Sequence, residues 1–445
     1  MATVAASIGE QVPKRKARAT FAYRALLIFS LLYYLRPEDV VPGLDKIPLA
    51  KIAGGIALIA LFSSLAAGKL KTKLPVEIKI LLVLFVQLCL TIPFAYWHGG
   101  AFATVFGKFS KSVIVALLVS LLVDSLPMLL RLVYVQAASV AVVTIISVLL
   151  HRTENGRLVG ALGGIFENPN DLAINIAMNW PLCLAFLFLA RGPLKKGLWA
   201  VAAIVMLYAV QATYSRSGFL ALVTGAAIAV VEFGIRGRKV GLVVIVVLAG
   251  MVALAVPSHY RDRLITIVTL QENVDESGHS MSGDSAESRK TLLKDGIITT
   301  LQHPVFGIGP GNFQVVVGDW HVAHNTYVQL GAEAGIPALV LFLWLLARVY
   351  KNLRLTRKSP AYTNQIQLRM LTSGLCASFG AYLVGAFFSD TAYELFPYYL
   401  VAYTIVLYRV GSMAAKKNPA PQRNWGHAVS LPLKPGTSVC RSQES

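Results

Sequence analysis

Apolar runs of about 17–25 residues recur from one end of this chain to the other, and that recurrence restricts the fold more than any motif does. Each run is long enough to carry a helix across a hydrocarbon layer, where the backbone must satisfy its own polar groups. Twelve spans are expected, at roughly 20–35, 48–68, 76–97, 110–126, 131–150, 171–190, 197–213, 217–234, 240–256, 326–347, 368–388 and 394–410, with Pro127 dividing the fourth from the fifth. A composition of 56% hydrophobic and 14% charged residues, with a mean hydropathy of +0.62, excludes an ordinary soluble domain. The chain reads as an all-α integral membrane protein with one long polar loop between spans nine and ten.

The formal charge of +19 is a sign of topology and not of nucleic-acid binding. Basic residues gather in alternate loops: Lys14–Arg18, Lys69–Lys73, Arg191–Lys196, Arg236–Lys239, Arg348–Lys358 and Arg409–Lys417. Cytoplasmic loops retain such residues, so both termini are expected in the cytoplasm. The organisation that follows is a cytoplasmic tail over 1–19, a bundle of nine spans over 20–256, an outward loop with short amphipathic helices over 257–325, three further spans over 326–411, and a polar, Pro-rich disordered tail over 412–445. No small-residue cleavage pattern follows the first apolar run, so that run is expected to stay as a span. Cys89, Cys183 and Cys376 fall inside spans and Cys440 in the tail, which leaves no disulfide framework outside and no zinc-ligand spacing. Spans one to five offer few polar residues beyond Gln87 and Gln136 and read as packing helices.

The distinctive residues come after span five, at the outward ends of helices. Phe166-Glu167-Asn168-Pro169-Asn170-Asp171 opens span six. Asn170 or Asp171 there suits a helix N-cap, and the amides of Asn168 and Asn170 also suit sugar hydroxyls. Tyr214-Ser215-Arg216-Ser217-Gly218 is a tight outward turn. Arg216 either snorkels to lipid headgroups or presents its planar fork to a phosphate. The long loop holds Arg261, Arg263, Arg289, His321 and His324. Within it, Asp284 and Glu287 suit a helix start, and Arg289, Leu293, Ile297 and Leu301 recur at helical spacing up to His303-Pro304. Such a helix is either an amphipathic element with a bystander arginine or a means of holding Arg289 at membrane-surface depth. Gly307-Ile308-Gly309-Pro310-Gly311 lacks the strand and helix of a dinucleotide loop and reads as a rigid turn. His324-Asn325-Thr326-Tyr327 then opens span ten, and Glu333, an ionisable group inside that span, is a further candidate.

Taken together, these motifs resemble the O-antigen ligase and polymerase superfamily of bacterial membrane glycosyltransferases. The matching residues are Asn168-Pro169-Asn170, Ser215-Arg216-Ser217-Gly218, Arg289 ahead of His303-Pro304 and Gly307-Ile308-Gly309, and His324-Asn325-Thr326-Tyr327 with Glu333-Ala334-Gly335. The resemblance covers roughly 160–345 and departs at Leu292-Leu293, where the family carries an aromatic. It implies an enzyme of the cytoplasmic membrane that transfers a glycan from undecaprenyl pyrophosphate to an acceptor hydroxyl, on a glycan or a lipid, at the periplasmic face. Neither metal nor cofactor is implied, and the other partners are membrane lipids. Arg216 and Arg289 would bind pyrophosphate and His324 would act at the reacting centre, with Arg261, Arg263, Asn168, Asn170 and Glu333 binding substrate. A multi-spanning transporter is the competing expectation, because twelve spans suit one equally.

Overall fold

The computed structural model describes residues 17–39, 43, 47–68, 73–154, 156–161, 166, 168–234, 286–317 and 323–417. In chain order the helices are α1 (Ala17–Leu35), α2 (Leu49–Ala66), α3 (Val76–Thr91), α4 (His98–Phe102), α5 (Ser110–Leu122), α6 (Leu126–Leu149), α7 (Pro169–Leu189), α8 (Pro193–Ala212), α9 (Arg216–Glu232), α10 (Ala286–Gln302), α11 (Phe313–Val317), α12 (Thr326–Arg357), α13 (Pro360–Asn364), α14 (Ile366–Gly385) and α15 (Phe396–Lys417). A short antiparallel ribbon, β1 (Thr153–Glu154) with β2 (Arg157–Leu158), interrupts the helical pattern ahead of α7. Among the described residues, seven helices are long and apolar enough to cross a membrane, by length and composition. The expected ninth span at 240–256 lies outside the described residues.

Several boundaries differ from expectation for local reasons. Tyr96–Lys108, expected as an outward loop, is largely helical: a π-helical stretch, Ala103–Phe109, joins α4 to α5 and makes one 25-residue element, His98–Leu122. Pro127 does not occupy the gap between two spans. It sits in the first turn of α6, where its missing N–H costs nothing, and the gap falls just before it at Val123–Ser125. α12 runs on past residue 347 to Arg357.

Packing relies on small residues. α14 lies against α9 and α7, and α12 against α3 and α15. A Cβ added at Gly218 would meet the Ala173 Cβ at 2.2 Å, so glycine there lets α9 approach α7 closely. Buried amides add direction to this packing. Gln136 donates to Asn179 Oδ1 at 2.9 Å and accepts from the Tyr403 hydroxyl at 2.7 Å, tying α6 to α7 and α15. Gln136 is thus more than a tolerated polar residue in an early span.

α12 is broken. Gly335 has φ +82°, a left-handed conformation that glycine adopts without penalty, and its own Cβ position is filled by the Val305 carbonyl oxygen, 2.4 Å away. The break frees carbonyls that a membrane helix must satisfy elsewhere. Ile308 N–H donates to Ala332 O at 3.0 Å, Gly309 N–H to Glu333 O at 2.8 Å, and Ile336 N–H donates back to Pro304 O at 2.8 Å. Gln87, on α3, completes the seal by donating to Val305 O at 2.9 Å and Ala334 O at 3.3 Å. The Gly-rich turn is therefore the plug of a broken span.

The opposite end of the bundle is held by ion pairs. Glu77 on α3 pairs with Arg348 on α12 at 2.8 Å and accepts from Asn352 at 3.1 Å, and Arg357 pairs with Glu232 of α9 at 2.7 Å.

Candidate active site

Three helix starts meet at one end of the bundle. Asn168 is the N-cap of α7: its side chain accepts the Asn170 N–H at 2.8 Å, with Pro169 at the first helical position. The cap expected at Asn170 or Asp171 is thus two or three residues earlier, because an extended Asn168 (ψ 134°) places its oxygen over the free amides. This leaves the Asn170 Oδ1 to accept from the Arg157 guanidinium at 2.8 Å and from the Ser215 hydroxyl at 2.8 Å. Arg157, on β2, also donates to Thr213 O at 2.9 Å. Ser215 caps α9 through the Gly218 N–H and touches the Ser217 hydroxyl at 2.9 Å. Arg216, half-buried, is the first residue of α9 and follows Tyr214, a non-glycine residue at φ +49°.

The third start is α12. Asn325 caps it, accepting from the Tyr327 and Val328 amides, and His324 just before has φ +45°. A side-chain-bearing residue in that region costs of order 1–3 kcal/mol, which the surrounding bonds must offset. Those bonds run through the turn after α14. Thr326 donates to Ser389 O at 2.6 Å, Thr391 N–H donates to the Thr326 hydroxyl at 3.0 Å, and Thr326 N–H donates to Ala386 O at 2.8 Å. Ser389 in turn donates to Asp171 Oδ1 at 2.9 Å, so the starts of α7 and α12 share one turn as their link.

On the other side of that turn is a cavity of about 270 Å³, lined by Trp97, Lys108, Gln329, Glu333, Asp390 and Glu394 among others. Glu333, 2% exposed, accepts the Phe313 N–H at 3.2 Å through Oε1. The hydroxyl of Tyr393 faces this carboxylate across the cavity wall. Burial pushes the Glu394 carboxyl above the ordinary glutamate range, Asp390 adds to the rise, and Lys108 and Lys111 oppose it. Burial likewise raises the Tyr393 hydroxyl.

The family model for O-antigen ligases matches residues 201–343. The chain resembles the O-antigen ligases. No curated protein matches it. One solved structure, described as "Structural coordination of polymerization and crosslinking by a peptidoglycan synthase complex", contains a chain similar over 77% of this chain and 98% of its own, at 16% identity and a TM-score of 0.43.

The O-antigen ligase match runs from within α8 to within α12 and includes Arg216, Arg261, Arg263, Arg289, His324 and Glu333, while Asn168 and Asn170 lie ahead of it. Arg261, Arg263 and His321 fall outside the described residues. Position 289 lies in the first turns of α10, in register with Leu293, Ile297 and Leu301. Those three side chains are 41%, 49% and 69% exposed, so the apolar stripe faces away from the bundle. α10 meets the bundle with its other side: Leu292 packs with Phe313, Ala323 and Ala332, and Gly296 lies against Val328. Arg157, Ser389, Thr391, Tyr393 and Glu394 were not candidates from sequence. Nothing in residue order sets them apart, since each acts through a partner elsewhere in the chain.

Proposed function

We propose that this protein is a multi-pass glycosyltransferase of the bacterial cytoplasmic membrane, of the O-antigen ligase or polymerase type. It moves a glycan from undecaprenyl pyrophosphate to an acceptor hydroxyl, on a lipid or another glycan, at the periplasmic face of a twelve-span bundle whose termini are cytoplasmic. The observation that carries this reading is the convergence of the starts of α7, α9 and α12 at one end of the bundle, bonded through Asn170–Ser215 and Asp171–Ser389–Thr326. The family match over 201–343 supports it independently.

In this reading the acceptor oxygen attacks the anomeric carbon, the bond from that carbon to the pyrophosphate oxygen breaks, and the configuration inverts. Undecaprenyl pyrophosphate leaves as an anion. Arg216 and Arg289 neutralise its growing charge, each contact contributing about 1.5–3 kcal/mol, without a metal. Neutral His324 takes the acceptor proton, an effect of about 10²–10⁴-fold. Asn170 positions Ser215 and hence the start of α9. Asn168, Arg261, Arg263 and Glu333 hold the sugar and phosphate portions. Cells carrying Arg289→Ala at matched membrane abundance are expected to accumulate undecaprenyl-linked glycan and to lose or shorten surface polymer. Unchanged lipid-linked pools and unchanged polymer would remove the mechanism.

The broken span with a buried carboxylate favours a second reading, since transporters build substrate sites from discontinuous helices. Counterflow of a labelled solute into proteoliposomes, abolished by Glu333→Gln, would replace the transferase with a transporter.

A further inference from the structure

A second cavity, of about 540 Å³, opens at the ion-paired end of the bundle, between α9 and α12 and over α14. Its lining is sorted by depth. Glu232 is the last residue of α9, and Arg354, Arg357 and Lys358 lie at the last turn of α12. Ile228, Phe379 and Leu383 line the deeper part. Ser373 of α14 donates to the Glu232 carbonyl, and Leu383 lies ten residues further along that helix, so the groove runs about 15 Å inward from its charged mouth at 1.5 Å per residue. Arg357 is paired with Glu232 at 2.7 Å, whereas Arg354 and Lys358 are exposed and make no ion pair among the described residues. Glu232 itself is 7% exposed, and its Oε2 has no hydrogen-bond partner among the described residues.

From this geometry we infer that the groove is a binding site for an anionic phospholipid with a hydroxyl-bearing headgroup, of the phosphatidylglycerol type. The phosphate sits between Arg354 and Lys358, a headgroup hydroxyl donates to Glu232 Oε2, and an acyl chain lies along Ile228, Phe379 and Leu383. Net charge decides the headgroup: the Glu232–Arg357 pair is neutral, which leaves two cations to be matched. Both headgroup types carry the phosphate, but a zwitterionic one adds an ammonium beside Arg354, Arg357 and Lys358, where like charges repel, whereas a glycerol headgroup adds only hydroxyls. The inference concerns a site distinct from the helix-start cluster and stands whether or not that cluster performs glycosyl transfer.

Native mass spectrometry of the full chain tests it, with phosphatidylglycerol and phosphatidylethanolamine of identical acyl chains offered in detergent. Wild type is expected to retain phosphatidylglycerol preferentially. Retention is expected to fall about fivefold for each cation removed, so about twenty-five-fold in Arg354→Gln with Lys358→Gln. Both side chains are exposed, so the double variant is expected to fold. Leu383→Phe, which narrows the apolar end and keeps the charges, is expected to weaken retention as well. Equal retention by wild type and the double variant would overturn the proposal. So would an equal loss in a Lys195→Gln, Lys196→Gln control, which would indicate unspecific surface charge. Displacement by millimolar inorganic phosphate would identify a free-phosphate site in place of a lipid site.

Discussion

α6 and α12 are both apolar enough to cross a membrane, yet they are built on opposite principles. α6 runs 24 residues as one unbroken helix. α12 breaks at Gly335 and borrows its partners from Pro304–Gly309 and from Gln87. α3 acts as its splint on both sides of the break, through Gln87 at the break and Glu77 at the far end. Part of the candidate chemistry lies along this borrowed helix: His324 precedes it, Glu333 on it borders the cavity, and the Gly-rich turn lines that cavity through Gly311. A self-contained span has no free backbone group to offer, so a site within the membrane requires a helix that is interrupted and then repaired from outside.

Four measurements break or sharpen this contrast. The largest effect is expected for Gly335→Ala, which forces a side chain into the left-handed region and against the Val305 carbonyl. A loss of about 4 kcal/mol or more, read as failure to recover monodisperse protein, is expected from strain and clash together. Ser139→Ala at the middle of α6, which removes a buried hydroxyl without a partner, should leave the melting point nearly unchanged. Next, Glu77→Ala strands Arg348 and Asn352 and should cost about 3 kcal/mol, at the low end of the buried-pair range because Arg348 is 20% exposed. A melting point in detergent equal to wild type would show that α3 is no splint. Gln87→Leu leaves two carbonyls at the break unsatisfied and should cost about 2 kcal/mol. An unshifted midpoint would mean that water replaces the amide.

The smallest effect is a pH dependence at Glu394. Its carboxyl is raised in the folded state by burial and by Asp390, against Lys108 and Lys111. A raised acid favours the folded state most when protonated, so this contribution is complete below the ordinary glutamate pKa and is lost as pH rises through the folded value. Wild type should therefore lose some melting temperature from mildly acid to neutral pH, and Glu394→Gln should flatten that slope. An identical slope in both proteins would assign the dependence elsewhere.

Much of this was legible from residue order alone. Span-length apolar runs placed the helices, and the Asn-Pro-Asn-Asp and His-Asn-Thr-Tyr stretches marked helix starts because capping chemistry is local, although the first cap is Asn168 where Asn170 or Asp171 was expected. The exposed row Leu293–Ile297–Leu301 followed from periodicity. What stayed hidden depends on partners far away in the chain. Gln87 reads as an isolated polar residue until Val305 is placed 218 positions later. Arg157 gains meaning only beside Asn170 and Thr213. Gly335-Ile336-Pro337 marks a weak point in a helix, but the carbonyl that fills the space above Gly335 comes from a different segment. Pro127 misled for the opposite reason: a breaker in mid-run is a starter when it falls in a first turn.

The repair of α12 also sets an order of assembly. As the chain emerges, Gln87 is in place long before Ala334, 247 residues later, and Pro304–Gly309 is synthesised before α12 follows it. The plug therefore arrives first and waits, and α12 closes onto partners that are already present. Closure of this bundle is thus a docking event late in synthesis, complete only when the segment from Thr326 onward has joined it.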